Sequence, residues 1–348
     1  MYFASDNAGP AHPEVLAAIA AANTGYAMPY GADTIMDEVR AQIRTLFEAP
    51  EAAVYLVATG TAANALALAT MCAPYETVFC SPTAHIHEDE CNAPEFYSSG
   101  AKLTLVGTED QMTAQVLRES IEAEQTRGVH GPQRGPVSIT QVTERGAVYS
   151  LAEIKALADV AKSFGLGVHL DGARFANAQA ALGCTAAEMT WKAGVDAVSF
   201  GGTKNGCMGV EAVIFFDPSK AWEFELRRKR GAHLFSKHRY LSAQMQAYLT
   251  DDLWLASAKR ANAHCARLVS GLGTVPGARI TNRPDANMIF AELPRAAHQR
   301  LAAAGARYYV LSGDVETGDP DALLPCRLVC DWSITDALID QFIGHAKG

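Results

Sequence analysis

Seven short apolar segments, separated by helical patterns, constrain the fold of this 348-residue chain more than any other feature. Each segment is rich in β-branched residues and too short for a typical helix, which indicates strands buried on both faces. The predicted strands are residues 53–57, 78–81, 103–106, 137–142, 168–171, 197–200 and 212–216. Helical patterns at residues 62–71 and 151–164 lie between them, and Ser150 with Glu153 predicts a capping box at the second. This alternation predicts an α/β fold with a mainly parallel sheet covered on both faces.

The pattern changes after about residue 250. A long helical pattern at residues 253–272 is followed by weaker strand patterns at residues 286–292, 308–311 and 326–330. We therefore predict two domains. An N-terminal arm and a large domain occupy residues 1–250, and a smaller α+β domain occupies residues 251–348.

Charge and cysteine usage exclude several classes of function. The formal net charge is −9, whereas a nucleic-acid-binding protein needs a basic face. The one dense basic run, residues 227–230, is interpreted as a solvated helix face. We see no signal peptide, no apolar run of membrane-spanning length and no cysteine–histidine cluster with the spacing of structural zinc. We expect a cytoplasmic protein that binds neither nucleic acid, nor a membrane, nor a structural metal.

Three motifs follow strands at the edge where open parallel sheets bind ligands. The first, ATGTAAN at residues 58–64, opens a helix with a Gly-Thr turn. Free N–H groups and the positive end of the helix dipole make such a turn a seat for phosphate, although simple N-capping by Thr61 explains it equally well. The second motif, HLDGARFANA at residues 169–178, ends a strand on Asp171, and Arg174 follows three positions later. The two charges form an internal ion pair, or they face a ligand between them.

The third motif, SFGGTKNG at residues 199–206, places Lys204 in a glycine-rich turn. A lysine in such a loop is ordinarily solvated, but a lysine in a partly desolvated pocket forms a Schiff base readily. The order of the motifs decides between these alternatives. A phosphate turn, then an aspartate, then a lysine, each after a strand, is the arrangement that binds pyridoxal phosphate.

These motifs resemble those of the low-specificity L-threonine aldolases, which include the phenylserine aldolases. The resemblance rests on HLDGARFANA and SFGGTKNG, and further on the segments SDN (5–7), YGADT (30–34), GTAAN (60–64), AHIHEDECNAPEF (84–96) and CRLVCDW (326–332). It implies the aspartate-aminotransferase-like fold of pyridoxal-phosphate enzymes, fold type I. It also implies a homotetramer whose active sites are shared between subunits.

The resemblance implies a role for each matching residue. The residues matched to the cofactor are Lys204 as the Schiff-base lysine, Asp171 at the pyridinium nitrogen, Gly60 and Thr61 at the phosphate, His85 stacked on the ring, and Arg174. The sequence departs from the family where many members have a phosphate-binding arginine that reaches the partner subunit: the region reads KRGAHLFSK (229–237), and Lys237 is the candidate for that role. The residues matched to the substrate are Ser5, Arg174 and Arg327 at its carboxylate, His130 near its hydroxyl group, and Tyr30 from the neighbouring subunit. The candidates for the catalytic base are His85 and His130. Each of these residues also has a purely structural explanation, such as an exposed loop position for His130 and Tyr30 or an ion pair for Arg327.

The implied reaction is retro-aldol cleavage of L-threonine, L-allo-threonine and related β-hydroxy-α-amino acids, including phenylserine, to glycine and an aldehyde. Two alternatives stay open. The first is another enzyme of the same cofactor class, namely a β-eliminating lyase, a racemase or a transaminase. The second is a binding module that keeps the fold without catalysis.

Overall fold

A computed structural model describes all residues, 1–348, and contains two sheets. The seven strands of the larger sheet are β1 (Ala53–Val57), β2 (Glu76–Cys80), β3 (Lys102–Leu105), β4 (Gln133–Thr140), β5 (Val168–Gly172), β6 (Ala197–Gly201) and β7 (Glu211–Phe215). The four strands of the smaller sheet are β8 (Arg279–Ile280), β9 (Met288–Pro294), β10 (Tyr309–Val310) and β11 (Leu323–Val329). Every strand predicted from the sequence is present, and the short strand β8 is an addition.

The larger sheet has the strand order β1-β7-β6-β5-β4-β2-β3. All its strands are parallel except β7, which pairs antiparallel with both β1 and β6. The register places Thr140, Asp171 and Ser199 side by side on neighbouring strands. The carboxyl ends of β4, β5 and β6 therefore meet at one edge of the sheet, and the predicted mainly parallel α/β architecture is confirmed.

Fourteen α-helices surround the two sheets. They are α1 (Pro13–Ala22), α2 (Thr34–Leu46), α3 (Gly60–Met71), α4 (His85–Glu88), α5 (Ala93–Tyr97), α6 (Ala114–Ala123), α7 (Leu151–Ser163), α8 (Phe175–Leu182), α9 (Ala186–Met189), α10 (Ala221–Arg230), α11 (Arg239–Leu249), α12 (Leu253–Leu272), α13 (Arg295–Ala303) and α14 (Asp336–Lys347). The capping box of Ser150 and Glu153 begins α7 as predicted. No helix combines the length and the apolar character needed to cross a membrane.

Two hydrophobic cores accompany the two sheets. The larger core lies against the seven-stranded sheet, and the smaller one joins β9 and β11 to α12, α13 and α14. Two residues lie across the predicted boundary at residue 250: Trp254 packs in the larger core, and Phe3 packs in the smaller one. The N-terminal arm is thus attached to the C-terminal sheet, and the division into two domains stays a prediction.

Phe3 fixes the arm on the C-terminal sheet. Its ring is 1% exposed and meets the ring of Phe342 with centroids 4.9 Å apart. Its N–H donates to the carbonyl of Arg307, and its own carbonyl accepts from the N–H of Val329. The arm therefore behaves as an additional edge segment of the smaller sheet.

We predict that Phe3→Ala lowers the free energy of unfolding by about 3–5 kcal/mol, because the substitution leaves a cavity in a packed core. The neighbouring Tyr2 is 66% exposed, so Tyr2→Ala is the matched control and should cost less than about 1 kcal/mol. Urea unfolding followed by circular dichroism measures both values. Equal losses in the two variants would show that the arm is not anchored by this ring.

Candidate active site

The first strand leads into a helix whose start is open to an anion. Thr59 has extended backbone geometry, and its side chain accepts a hydrogen bond from the N–H of Ala62. The N-cap is therefore Thr59 and not Thr61, because α3 begins at Gly60. The N–H groups of Gly60 and Thr61 have no acceptor within the helix, and they add to the positive end of its dipole. This end of α3 can bind a phosphate group.

A buried chain of hydrogen bonds connects Asp171 to His85. Asp171 is the next-to-last residue of β5, is 1% exposed and accepts from Asn64 Nδ2 at 3.0 Å. The same amide nitrogen donates to Glu90 Oε1 at 2.9 Å, and His85 Nδ1 lies 2.8 Å from that oxygen. Because an ionised carboxylate only accepts, Nδ1 of His85 carries the proton in this bond. His85 Nε2 is then the nitrogen that can take a proton from a ligand.

The charges around His85 make it more basic than an ordinary histidine. Burial alone would lower the pKa of His85, but the hydrogen bond to Glu90 and the charges of Asp171 and Glu144 raise it above its ordinary value. Glu90 itself is buried, and burial raises the pKa of its carboxyl group. Asp171 therefore acts on this imidazole as well as on the space in front of β5.

Lys204 lies in a short 3₁₀ turn, Thr203–Asn205, that follows β6. Two hydrogen bonds hold the turn in place: Asn205 Nδ2 donates to the Tyr248 hydroxyl at 2.8 Å and to the Trp254 carbonyl at 2.7 Å. It ends at Gly206, whose φ of 111° suits glycine, and a Cβ there would collide with the ring of His12. Lys204 thus extends from a turn that is fixed by these contacts, and its amine makes no side-chain hydrogen bond or ion pair.

One cavity of about 380 Å³ brings these groups together. It is lined by residues from six segments, namely Asn7, Ala58, Thr59, Gly60, Thr61, Asn64, His85, Asp89, Ala173, Thr203, Lys204 and Glu211. The predicted phosphate turn, the stacking histidine and the predicted Schiff-base lysine therefore share one space. Asp171 lies directly behind Asn64, which forms part of the wall.

Asp171 and Arg174 do not form an ion pair with each other. Arg174 binds Asp6 of the arm through two hydrogen bonds, Nε to Oδ2 at 2.7 Å and Nη2 to Oδ1 at 3.1 Å. Although burial alone would raise it, the charges of Arg174 and Lys204 hold the pKa of Asp6 below its ordinary value. Arg174 Nη1 is buried without a hydrogen-bond partner, and Glu144 Oε2 is 3.9 Å away. This nitrogen therefore keeps a donor that no hydrogen bond uses.

Arg327 also contacts the arm, to which Ser5 belongs. Arg327 Nη2 donates to the carbonyl of Ala4 at 3.3 Å, and its Nε is buried without a partner. Ser5 is half-buried, and its hydroxyl oxygen accepts from the N–H of Asn7. The arm therefore places Ser5 between two arginines that both keep an unpaired N–H group.

His130 lies outside the cavity of its own chain. It ends an exposed 3₁₀ turn, Gly128–His130, which precedes β4. The cavity lies at the carboxyl end of β4, so the length of an eight-residue strand, about 25 Å, separates the two. Contact of His130 with the substrate stays a prediction, and a loop histidine gives no signal of which sheet edge it occupies.

Tyr30 and Lys237 also lie outside the cavity of their own chain. Both are exposed, and the N–H of Tyr30 donates to the carbonyl of Ser236, so their two segments are adjacent. For both residues, a role in the site of a neighbouring subunit stays a prediction.

The interpretation of residues 227–230 as a solvated face needs correction, because Arg228 is buried, covers the ring of Tyr55 and donates to the carbonyl of Leu56.

The site contains acidic and amide residues that the sequence analysis missed. They are Asp6, Asn64, Glu90, Glu144 and Glu211. Glu144 follows β4 at the carboxyl edge, and this position could have identified it. Glu211 gave no such signal, since it begins a strand and only the antiparallel direction of β7 brings it to this edge.

Comparisons with known proteins agree with this geometry. A family model described as beta-eliminating lyase matches residues 2–296. A low specificity L-threonine aldolase from Pseudomonas sp. (strain NCIMB 10558) is 41% identical over 99% of this chain and 96% of its own length. Another of the same name from Pseudomonas aeruginosa is 43% identical over 95% of this chain and 92% of its own length.

Solved structures show the same fold. A threonine aldolase from Leishmania major matches with a TM-score of 0.91 and 24% identity, covering 99% of this chain and 98% of its own. A serine palmitoyltransferase from Sphingomonas wittichii matches with a TM-score of 0.69 and 15% identity, covering 100% and 86%. At these identities the likeness shows the fold alone. The predicted fold type I architecture is confirmed.

The fold and the family match together define the class of this protein, which is a lyase with the type I fold of pyridoxal-phosphate enzymes. The chain belongs to the beta-eliminating lyase family and, within it, to the low-specificity L-threonine aldolases.

We predict that Glu90→Gln lowers the pKa of His85, because the substitution removes the hydrogen-bonded carboxylate that opposes the effect of burial. Titration of the imidazole signals by NMR in cofactor-free protein measures this shift. Glu88→Gln is the matched control, since Glu88 lies on the same helix α4 but is exposed. An unchanged His85 titration in Glu90→Gln would refute the proposed source of its basicity.

Proposed function

We propose that this protein is a pyridoxal-phosphate-dependent aldolase that cleaves L-threonine, L-allo-threonine and related β-hydroxy-α-amino acids to glycine and an aldehyde. The observation that carries the proposal is the shared cavity in which Lys204, the open start of α3 and His85 meet, with Asp171 behind them. The names of the two Pseudomonas relatives supply the substrate class.

The residues present fit pyridoxal phosphate on chemical grounds. The unpaired N–H groups at the start of α3 suit the phosphate, and a Cβ placed on Gly60 would meet no protein atom within 4 Å, so this wall is open. Lys204 supplies an amine without a competing partner for the aldehyde. The carboxylate of Asp171, held by Asn64 and by the N–H of Ala173, suits a protonated ring nitrogen.

Bound pyridoxal phosphate would supply a sink for the electron pair of the bond that breaks. The protein residues then supply charge, orientation and proton transfer. Asp171 provides the negative charge that keeps a ring nitrogen protonated. His85 closes the cavity beside Lys204, and its network with Glu90 and Asn64 fixes the orientation of the imidazole.

His85 is also the base that we propose for the β-hydroxyl proton. Its Nδ1 is held by Glu90, which leaves Nε2 to accept a proton. The raised pKa increases the driving force for that transfer. With His130 at the opposite edge of the sheet, no other histidine lines the cavity.

Arg174 and Arg327 hold the substrate carboxylate in this proposal. Each keeps one buried nitrogen without a partner, and each already contacts the arm beside Ser5. Two charge-assisted hydrogen bonds fix the rotation of an amino acid about its Cα atom. That rotation decides which bond to Cα breaks, so the arginines select Cα–Cβ cleavage.

The family resemblance further supports a cytoplasmic homotetramer that acts on phenylserine as well as on threonine. In such an assembly, Tyr30 and Lys237 would reach the site of a neighbouring subunit. Their exposure and their adjacent backbones are compatible with this role. Size-exclusion chromatography with light scattering measures the assembly.

A β-eliminating lyase is the competing function, because the matching family carries that description. The two reactions give different products from threonine. Retro-aldol cleavage releases glycine and acetaldehyde, whereas β-elimination releases ammonia and a four-carbon 2-oxo acid. Analysis of the products from a panel of β-hydroxy amino acids separates them, and the absence of glycine would exclude the aldolase.

We predict that Lys204→Ala abolishes turnover and that borohydride reduction attaches a pyridoxyl group to Lys204 in the wild-type protein. Peptide mapping by mass spectrometry locates the adduct. Lys155→Ala is the matched control, since Lys155 is an exposed lysine paired with Asp159 on α7, and it should keep full activity. A pyridoxyl adduct on another lysine would overturn the assignment, and the absence of any adduct would favour a binding module.

We predict that Arg327→Ala raises KM for threonine by about 10- to 100-fold, because hydrogen bonds to charged groups contribute about 1.5–3 kcal/mol. The effect on kcat should be smaller. Initial rates of aldehyde release over a range of threonine concentrations give both constants. Arg279→Ala removes an exposed arginine from the neighbouring sheet edge and should leave KM unchanged. A wild-type KM in Arg327→Ala would place the carboxylate elsewhere.

A further inference from the structure

Glu211 is a buried carboxyl group that the proposed reaction does not use. It is the first residue of β7 and is 6% exposed. Because β7 is antiparallel to its neighbours, its first residue lies at the edge where β1 and β6 end, opposite Val57 and Gly201. Glu211 therefore sits between the loop that leads to α3 and the turn that carries Lys204.

The contacts of Glu211 are made with that turn. The N–H of Gly202 donates to Glu211 Oε2 at 2.9 Å. Gly202 and Thr203 immediately precede Lys204 in the chain. Glu211 and Lys204 also line the same cavity, although they form no direct ion pair. The carboxyl group thus acts on the lysine through the backbone and, at longer range, through its charge.

Burial dominates the ionisation of Glu211, and Lys204 is the positive charge that acts on it. Burial raises the pKa of Glu211 to about 7, while hydrogen bonds from Thr203 and Gly202 and the positive charge of Lys204 oppose this rise. Two other titratable groups face it, Cys207 on the same turn and Tyr248 on α11. Burial raises the pKa of both well above their ordinary values, so both are neutral near pH 7.

We propose that Glu211 is a positioning residue for Lys204: its carboxyl group fixes the turn that carries the lysine, and its negative charge favours the protonated lysine nitrogen. The inference rests on the proposed function, in which Lys204 binds the cofactor. It assigns control of the lysine to a carboxyl group that lines the same cavity but forms no ion pair with it.

Two substitutions separate the two effects. Glu211→Gln keeps an oxygen that accepts from Gly202 but removes the charge. Glu211→Asp keeps the charge but shortens the side chain, which weakens the bond to the turn. Glu76→Gln is the matched control, because Glu76 also begins a strand and accepts a backbone N–H, from Ala73 at 2.8 Å, but lies at the opposite edge of the sheet.

Two measurements report on the lysine. In the protein loaded with pyridoxal phosphate, the pH dependence of the visible absorption band gives the titration midpoint of the nitrogen that joins lysine and cofactor. In the cofactor-free protein, competitive acetylation with acetic anhydride followed by mass spectrometry gives the midpoint of the free Lys204 amine. We expect Glu211→Gln to lower both midpoints by about one pH unit, because the charge that favours the cation is lost.

We expect Glu211→Asp to keep midpoints close to those of the wild type and to release the cofactor faster on dilution. Glu76→Gln should match the wild type in every measurement. Unchanged midpoints in Glu211→Gln would overturn the proposal. If the wild-type protein developed no visible band but the acetylation midpoint fell in Glu211→Gln, the positioning of Lys204 would stand and the proposed function would fail.

Discussion

The buried ion pair between Asp6 and Arg174 is the interaction on which the organisation of the site depends. It joins the arm to the residue that follows β5, while Asn287 Nδ2 donates to the same carboxylate from the C-terminal half of the chain. Removing one partner of such a pair leaves a buried charge and typically costs about 3–5 kcal/mol. The pair also directs Arg174 away from Asp171, so these two residues form no ion pair with each other.

The network around Asp171 shows how one charge serves two purposes. In the proposed function the carboxylate holds the ring nitrogen, and its charge also helps to raise the pKa of His85, to which Asn64 and Glu90 connect it. A substitution at Asp171 would therefore change both the proposed cofactor contact and the proposed base. Because the two effects are coupled, single substitutions here should not add, and double-mutant cycles are needed to separate them.

The fold was largely predictable because local patterns determine it. Short apolar runs in the sequence predicted the buried strands, and the Ser150–Glu153 pattern correctly predicted the start of α7. The cavity residues Gly60, His85 and Lys204 follow from motifs at strand ends. The location of His130 could not be predicted because a glycine-rich loop does not indicate its sheet edge, and Glu211 was missed because strand direction is a non-local property. Asp6 was missed because its partner lies 168 residues away.

The path of the arm has a consequence for the order of folding. Asp6 contacts Arg174 and Asn287, and Phe3 contacts Phe342, so residues near the start of the sequence contact residues near its end. Contacts of such long sequence separation cost loop-closure entropy before they contribute stability, which slows folding. The surroundings of Arg174 are therefore complete only once both ends of the sequence have come together.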